Sequence, residues 1–325
     1  MKGVNLGGWL VLEKWLTPNL FTNTAADDEY TFMQRPGAKA KIENHRQNFI
    51  TENDFLWLSQ QGITLVRIPI GYWLFESIDG YTPTVHYLDN AMSWAAKHNI
   101  KVLIDLHAVR GSQNGFDNSG KIGQPRWFLR PDYQQQSLQV LRQIAQRYGR
   151  SPALWGIELL NEPKAKRSYW MLIRFYRHAY HELCKILQPG THIVFHDGFR
   201  PLLFAGALRA DKNFPVIMDT HLYAFPFQTK SLSLYLKLSY IVRIFLLRYL
   251  RLWQPVIVGE WSTVLPQHFF DTRPQNEHLD VLAQNALMQQ QAYTHCIGWI
   301  YWTYKAEKGG MWNLRSLVDT KTIVL

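Results

Sequence analysis

Eight short apolar runs alternate with helical patterns along almost the whole chain. The apolar runs are residues 3–8, 64–69, 101–107, 154–162, 191–197, 216–223, 255–261 and 297–304. The helical patterns are residues 51–61, 87–98, 131–149, 168–187, 199–209, 231–252 and 277–294. Several runs are almost wholly apolar before their last residues, as strands buried on both faces are. The alternation predicts a parallel sheet, and eight strands predict an α/β fold of the (β/α)8 TIM barrel type, formed as a single domain over residues 1–325.

Residues typical of helix caps stand at the ends of these helical patterns. Thr51 and Ser168 precede two of them, where a hydroxyl can accept from a backbone N–H of the first turn. Asp132 stands at the start of a third. Gly62 and Gly190 lie where a helix is expected to stop before the next strand.

The composition is that of a globular protein, since 47% of the residues are hydrophobic and 18% are charged. Aromatic residues reach 14%, and flat rings can stack on the apolar face of a sugar. The formal charge is +10, but no basic run is longer than KAKR at 164–167 and no nucleic-acid-binding motif is present. We therefore expect no nucleic-acid partner. Cys184 and Cys296 form neither a CxxC motif nor a Cys/His cluster, so we expect free thiols, no metal site and no cofactor.

Residues 231–253 are the one stretch that is similar to a membrane element. Four basic residues interrupt it, Lys237, Arg243, Arg248 and Arg251, so it is too polar to span a bilayer. At 100° per residue, Lys237, Arg248 and Arg251 fall on one helix face. The pattern predicts an amphipathic helix that packs on the protein core, and weak contact with an anionic membrane surface is the alternative.

The amino terminus begins MKGVNLGGWL and lacks the long apolar segment typical of a secretory signal. As written, the sequence predicts a cytoplasmic protein. If an upstream signal was trimmed, a secreted or periplasmic protein is expected instead. The sequence makes no prediction of the oligomeric state.

Polar and aromatic residues gather at the carboxyl ends of the predicted strands. They are Arg67, His107, Asn161, Glu162, Asp197, His221, Tyr223, Glu260, Trp302 and Tyr304. Each alone has an ordinary structural explanation, as a solvated edge residue or as part of the core. Because the active sites of (β/α)8 barrels form at the carboxyl ends of the strands, the repeated pattern predicts an active site there.

Glu162 and Glu260 close the fourth and seventh predicted strands. Two facing carboxyl groups are the equipment of glycoside hydrolysis, because one donates a proton to the leaving oxygen while the other attacks the anomeric carbon or activates water. Tyr223 and Arg67 are suited to keeping one carboxylate ionised by donating hydrogen bonds to it. In the alternative interpretation Glu162 caps the next helix, but Ser168 is the better cap.

Ordered motifs along the chain resemble glycoside hydrolase family 5. These are NEP at 161–163, HLY at 221–223 and GEW at 259–261, with Arg67, His107 and Trp302. More narrowly, GVNLGGWLVLEKWLTPNLF, VRIPIGYW, VLIDLHAVRGSQNGFDNSG and YWTYKAE resemble the exo-β-1,3-glucanases of that family, over residues 3 to about 307. The resemblance implies a (β/α)8 barrel that acts as a retaining hydrolase. Its implied reaction releases glucose from the non-reducing end of β-1,3-glucan or its oligosaccharides, with transglycosylation as a side reaction.

The resemblance also implies a role for each matched residue. Glu162 corresponds to the catalytic acid/base and Glu260 to the nucleophile. The positions that surround the sugar at the cleaved bond are Arg67, His107, Asn161, His221 and Tyr223.

Further matched positions concern the ends of the substrate. Trp302 corresponds to a platform under the sugar at the cleaved bond. Glu13 corresponds to a residue that binds the outer hydroxyls of the terminal glucose, which favours exo action. Phe116, Asp117 and Asn118 correspond to a clamp near the leaving sugar.

The sequence departs from the family's pattern at both ends and in the loops that follow the two glutamates. Little chain remains after residue 304, which predicts an incomplete eighth helix. Three alternatives to β-1,3-glucan hydrolysis stay open. One is hydrolysis of another β-glucoside, such as a β-1,6 or β-1,4 oligosaccharide, a glycolipid or an exopolysaccharide intermediate. The others are a carbohydrate-binding barrel without catalysis and a basic scaffold on a membrane surface.

Overall fold

Eight parallel strands pair in sequence order, and the last pairs with the first to close a barrel. The computed structural model describes residues 1–165, 168–271 and 273–325. The strands are β1 (Lys2–Asn5), β2 (Leu65–Gly71), β3 (Lys101–Ala108), β4 (Leu154–Glu158), β5 (His192–His196), β6 (Val216–His221), β7 (Val256–Trp261) and β8 (Gly298–Tyr301). The prediction of a (β/α)8 barrel is confirmed.

Helices connect the strands around the outside of the barrel. They are α1 (Glu29–Met33), α2 (Ala38–Phe49), α3 (Glu52–Gln60), α4 (Val85–Lys97), α5 (Pro131–Tyr148), α6 (Tyr169–Cys184), α7 (Pro201–Phe204), α8 (Leu232–Arg251), α9 (His268–Asp271), α10 (His278–Ala292) and α11 (Leu314–Asp319). Short 3-10 turns occur at Pro18–Phe21, Asp117–Ser119, Trp127–Leu129, Gln275–Glu277, Tyr293–His295 and Gly310–Trp312. The expected short eighth helix is confirmed, because α11 has six residues.

An apolar layer fills the lower interior of the barrel. Its members come from seven different strands and pack together: Leu65, Leu103, Trp155, Val194, Ile217, Ile257 and Ile300. Side chains of a strand alternate between its two faces, so the residue two positions later points into the same interior. The second layer therefore begins with residues such as Arg67, Asp105, His196 and Asp219, all fully buried. The fold thus places a polar layer directly above an apolar one.

Strand β4 ends earlier than the sequence predicts. The predicted strand covered residues 154–162, but ladder pairing stops at Glu158, which pairs with Asp105 and with Val194. The chain beyond it stays attached to β3, since the Asn161 N–H donates to the Leu106 carbonyl at 3.0 Å. Residues 161 and 162 therefore lie on the loop just above the strand.

One helical prediction is wrong, and the twelve-residue helix α2 was not predicted. The predicted helix at 199–209 is reduced to the single turn of α7, which is followed by Gly206 at a φ of 74°. Helix α2 was not predicted, because its buried face consists of Ala38, Ile42 and the charged Arg46 and so lacks apolar periodicity.

The cap predictions meet different outcomes. Thr51 begins α3 with a capping box, in which Asp54 accepts from the Thr51 N–H at 2.8 Å. Ser168 occupies the cap position of α6, but its side chain makes no cap hydrogen bond. Arg130, not Asp132, occupies the cap position of α5. The predicted free thiols are confirmed, since Cys184 and Cys296 are unpaired.

A buried ion pair attaches the segment before β2 to the barrel. Arg46 Nη2 lies 2.8 Å from Glu29 Oε1, and both side chains are inaccessible to solvent. The second oxygen of Glu29 accepts from the Leu12 N–H at 2.7 Å. Removing one member of such a pair leaves the other charge buried without its partner.

We predict that Glu29→Ala lowers the free energy of unfolding by about 3–5 kcal/mol, because Arg46 stays buried without a countercharge. Asp27→Ala is the control, since it removes an exposed ion pair with Lys14 and should leave stability unchanged within error. Urea denaturation measures both. Equal small losses in the two variants would contradict the structural role given to the buried pair.

Candidate active site

Arg67 lies at the centre of the polar layer. Its guanidinium donates from Nε to Glu158 at 2.7 Å and from Nη2 to Asn161 at 2.8 Å. Nη1 donates to Glu260 Oε1 at 3.0 Å, and Nη2 lies 3.1 Å from Asp105. One buried cation on β2 thus fixes side chains from β3, β4 and β7 relative to one another.

Glu260 near the end of β7 is held by two hydrogen-bond donors. Besides Arg67, the Tyr223 hydroxyl donates to Glu260 Oε2 at 2.7 Å. Burial raises the pKa of Glu260 to about 8, and the nearby Glu162 carboxylate adds to the increase, while His221, Arg67 and Tyr223 oppose it. The two fixed donors orient this carboxyl group towards the pocket and are arranged to stabilise its ionised form.

Glu162 lies beyond β4, and it shares with Glu260 a contact to His221 Nδ1. Its Oε1 is 2.7 Å from His221 Nδ1, and its Oε2 accepts from Asn118 Nδ2 at 3.1 Å. Burial alone would raise the pKa of Glu162, but the hydrogen bond and charge of His221 outweigh it and lower the pKa to about 2. The backbone φ of 42° is unusual for a residue with a side chain and costs roughly 1–3 kcal/mol. Such local strain is typical of functional sites.

His221 lies between the two glutamates. Its Nδ1 is 3.4 Å from Glu260 Oε2, and its Nε2 is 3.2 Å from Asp219. Burial lowers the pKa of His221, but the charges of Glu260 and Asp219 outweigh it and hold the pKa well above the ordinary value. One oxygen of each glutamate therefore lies within hydrogen-bond reach of the same imidazole nitrogen.

Asp219 needs the glycine of the GEW motif beside it. Its Oδ1 accepts from the Gly259 N–H at 2.6 Å. A Cβ atom at residue 259 would lie 2.0 Å from Asp219 Oδ2, closer than any side chain tolerates. Only glycine therefore fits here, directly before the catalytic candidate Glu260.

His107 and Trp302 form an adjoining part of the pocket. His107 Nδ1 lies 2.6 Å from Asp105, and its ring is nearly parallel to that of Trp302 at 5.6 Å between centroids. Burial, and secondarily the charge of Arg67, holds the pKa of His107 well below its ordinary value. Asn161 Nδ2 lies 3.4 Å from His107 Nε2. The neutral imidazole and the indole are thus available to a bound sugar.

Glu13 lies near the same pocket although it is distant in sequence. It is almost fully buried, and its Oε2 accepts from Trp15 Nε1 at 3.0 Å. Burial raises the pKa of Glu13 well above its ordinary value, and the charges of Asp117 and Glu260 add to it. Trp312, which the sequence analysis did not include, lies 5.1 Å from Trp15 between ring centroids. Its ring is also 5.6 Å from that of Tyr223, so these aromatic rings line one side of the pocket.

The segment of the predicted clamp has one member at the catalytic pair. Asn118 contacts Glu162, whereas Phe116 is 43% exposed with Lys164 Nζ 4.6 Å from its ring centroid. Burial raises the pKa of Asp117. On the other side of this segment is a cavity of about 650 Å³, which includes Tyr72 but neither catalytic glutamate in its lining.

Several residues of the site were not predicted from the sequence. Asp105 and Asp219 each stand two positions before a predicted histidine, in DLH at 105–107 and DTH at 219–221. This spacing on a strand puts both members on one face, and it was the available signal. Glu158 lacked such a signal, because it lies inside an apolar run. Tyr304, a strand-end candidate, is not in the site, because its hydroxyl donates to Asp54 at 2.9 Å.

His196 of β5 and His221 of β6 lie close together at the carboxyl ends of neighbouring strands. The rings of His196 and His221 are 4.4 Å apart, and ligand atoms of Glu162, His196 and His221 lie within 4.8 Å of one another. Three such atoms could hold a cation. However, both nitrogens of His221 already lie within hydrogen-bond distance of carboxylates.

The pattern of the family described as Cellulase (glycosyl hydrolase family 5) matches residues 28–308. The chain belongs to glycosyl hydrolase family 5. This confirms the resemblance seen in the motifs and the prediction of a glycoside hydrolase.

Individual relatives agree with this assignment. The chain is 33% identical to a probable glucan 1,3-beta-glucosidase A of Aspergillus niger, over 98% of this chain and 86% of that protein. It is 39% identical to a glucan 1,3-beta-glucosidase of Pichia angusta, over 68% of this chain and 54% of that protein. The crystal structure of rutinosidase from Aspergillus niger has the same fold, with a TM-score of 0.83, 22% identity and coverage of 99% of this chain and 97% of that one.

The opposite pKa shifts of the two glutamates predict opposite effects on stability. A carboxyl group with a raised pKa, such as Glu260, stabilises least at high pH, so its contribution to wild-type stability falls as the pH rises from about 4.5 to about 8. Glu260→Gln should remove this contribution, while Asp105 and Asp197, whose pKa values are raised to about 7, keep theirs. The melting temperature of the variant relative to wild type should therefore rise over that range. Glu162, with its lowered pKa, stabilises the fold above about pH 4.5. Glu162→Gln should therefore melt below wild type there.

Differential scanning calorimetry of the three proteins between pH 4.5 and 8 measures both effects. Each variant serves as the matched control of the other, since both replace a buried glutamate by its isosteric amide. Melting-temperature shifts of the same sign in the two variants would show that His221 does not stabilise ionised Glu162 more than ionised Glu260.

Proposed function

We propose that the protein is a retaining β-glucosidase-type hydrolase that releases glucose from the non-reducing end of β-1,3-glucan or its oligosaccharides. The observation that carries the proposal is that Glu162 and Glu260 both lie close to His221 Nδ1, with Glu260 fixed by Arg67 and Tyr223. The names of the relatives support the β-1,3 linkage.

In the first step, Glu260 attacks the anomeric carbon while Glu162 protonates the leaving oxygen. Glu260 suits the role of nucleophile, because two fixed donors orient it and disperse its charge. Glu162 suits the role of acid/base, because it is attached to a loop and its partners are an imidazole and an amide. A covalent glycosyl-enzyme results, with the leaving sugar released as an alcohol.

In the sugar-free site, burial and the nearby Glu162 raise the pKa of Glu260, whereas the hydrogen bond and charge of His221 lower that of Glu162. Bond cleavage needs a protonated Glu162 and an ionised Glu260. His221 Nδ1 lies 2.7 Å from Glu162 and 3.4 Å from Glu260, so this nitrogen is placed to exchange a proton with either carboxyl group when the sugar binds.

In the second step, Glu162 acts as a base and removes a proton from the water that attacks the glycosyl-enzyme. A sugar hydroxyl can replace this water, which gives transglycosylation. The positive charge that develops on the sugar ring in both steps is stabilised by the surrounding acidic layer, to which Asp105, Glu158 and Asp219 belong.

We attribute exo action to Glu13 and to the aromatic side chains near it. Glu13 lies almost fully buried beside Trp15, where it can donate or accept hydrogen bonds to the outer hydroxyls of a terminal glucose. Trp302 can stack against the sugar face. A glucose held in this way leaves no passage for a further sugar beyond it.

We predict that Glu162→Gln separates substrates by their leaving group. Cleavage of laminaribiose should fall roughly 10²–10⁴-fold, because its leaving alcohol needs a proton. Dinitrophenyl β-glucoside needs none, so the variant should still release dinitrophenolate in a rapid burst and then stall as glycosyl-enzyme. Glu260→Gln is the control and should lose both reactions. Equal losses on both substrates in Glu162→Gln would contradict its role as the acid.

We predict that wild-type protein converts laminaritriose to glucose and laminaribiose, and that the first glucose to appear is the β-anomer. Retention follows from two successive displacements at the same carbon. Time-resolved proton NMR measures the anomer, and product analysis against cellotriose and glucosylceramide measures the preference for linkage and aglycone. An α-anomer would contradict the retaining mechanism, and faster cleavage of cellotriose or glucosylceramide would favour another β-glucoside.

A further inference from the structure

The outward side of α8 carries large apolar side chains that nothing in the described chain covers. We call this surface the α8 face. Its members are Leu234, Ile241, Val242, Phe245, Tyr249, Leu252 and Trp253. Phe245 is 76% exposed and Leu252 is 79% exposed. Scattered apolar residues are ordinary on protein surfaces, but a continuous stripe along a helix indicates an interaction site.

The α8 face is exposed because α7, the neighbouring helix of the outer ring, is short. In a (β/α)8 barrel each helix is covered on both sides by its neighbours in the outer ring. Here α8 packs against α10 on one side, while the fifth helix position holds only the single turn of α7. Residues after α7, among them Gly206, line a cavity of about 370 Å³ together with Leu252 and Trp253. The missing turns of helix thus expose the lower part of the α8 face.

Further apolar side chains are exposed in and beside α7. Leu202 and Leu203 in α7 are both exposed, as is Trp170 at the start of α6. The Tyr169 hydroxyl donates to the Leu203 carbonyl at 2.9 Å, so the start of α6 lies against α7. These residues form a second exposed apolar area, at the junction of α6 and α7.

The segment of residues 220–259, which includes α8, carries basic residues and no acidic ones. No Asp or Glu occurs between Asp219 and Glu260, whereas Lys237, Arg248 and Arg251 lie exposed on α8. In the described part of the chain, none of these three cations forms an ion pair with a carboxylate. The remaining cation of the helix, Arg243, points inward and donates to the Tyr223 carbonyl at 2.8 Å, so it belongs to the core.

We infer that the α8 face binds the surface of an anionic phospholipid bilayer. The apolar and aromatic side chains would enter the interface, and the flanking lysine and arginine heads would reach the lipid phosphates. A second copy of this chain is a poor partner, because a symmetric contact would place each set of cations against the other. The contact is peripheral, since no helix among the described residues has the length and apolar character needed to cross a membrane.

This orientation has a consequence for the catalytic site. The helices of a (β/α)8 barrel run antiparallel to its strands, so a barrel lying on α8 has its axis close to the membrane plane. The pocket at the carboxyl ends of the strands then opens sideways along the surface, and soluble sugars keep their access to it. Membrane binding and hydrolysis are therefore separable.

Vesicle sedimentation of the whole chain tests the inference. We expect binding to vesicles of phosphatidylcholine with phosphatidylglycerol, much weaker binding to phosphatidylcholine alone, and loss of binding as the salt concentration rises. Lys237→Gln with Arg248→Gln should weaken the partition by about fivefold per removed charge. The matched control is Lys39→Gln with Lys41→Gln, exposed cations of α2, which should bind as wild type.

The apolar contribution is tested by Phe245→Gln with Leu252→Gln, which should reduce binding at least tenfold. Leu56→Gln with Leu129→Gln is the control, since it removes exposed leucines elsewhere. Unchanged hydrolysis of a soluble aryl glucoside shows that the variants are folded. Three results would overturn the inference. They are equal binding to neutral vesicles, wild-type binding by the α8 variants, or light scattering that shows a dimer dissociated by these substitutions.

Discussion

The buried guanidinium of Arg67 is the interaction on which the catalytic arrangement depends. It holds Glu158, Asn161 and Glu260 from three different elements by hydrogen bonds of 2.7 to 3.0 Å. A charge without solvent is stable only if carboxylates surround it, and those carboxylates are then fixed in position by the same contacts. Because these carboxylates outnumber the cations around them, burial and mutual repulsion raise the pKa of Glu260 to about 8 and that of Asp105 to about 7. A pocket that is short of positive charge suits a reaction whose transition state carries it.

The barrel makes this cluster possible by separating an apolar layer from a polar one. Leu65 and Ile217 belong to the lower layer, and Arg67 and Asp219 stand two residues later on the same strand faces. The lower layer excludes water and stabilises the barrel by hydrophobic packing. The upper layer holds buried charged side chains, whose partners come from neighbouring strands. The same geometry places the proposed catalytic pair at the carboxyl ends of the strands, Glu260 near the end of β7 and Glu162 just beyond β4.

The sequence alone was sufficient for the barrel and for two partners of Arg67, Asn161 and Glu260, because apolar runs with polar ends are a direct consequence of strands buried on both faces. It failed where a charged residue occupies a buried position that an apolar residue would usually fill. Helix α2 was not predicted because the charged Arg46 lies on its buried face. Glu158 was not recognised as a hydrogen-bond partner of Arg67 because it lies within an apolar run. It also could not give the distances between side chains of different strands. The 2.7 Å contact of His221 with Glu162, and the opposite pKa shifts of Glu162 and Glu260, arise only when the barrel has formed. Trp312 was missed because it joins the pocket from a turn after the last strand.

Trapping the covalent intermediate is the most direct test of Glu260 as the nucleophile held by Arg67 and Tyr223. A 2-deoxy-2-fluoro-glucosyl fluoride carries a leaving group that needs no acid, and its fluorine slows both displacements by destabilising positive charge on the ring. The glycosyl-enzyme therefore accumulates and can be located by mass spectrometry of a peptide digest. We predict one sugar on the peptide that contains Glu260 in the wild-type protein and none in Glu260→Gln. A sugar on another residue, or turnover of the wild-type protein without any labelled peptide, would contradict this account.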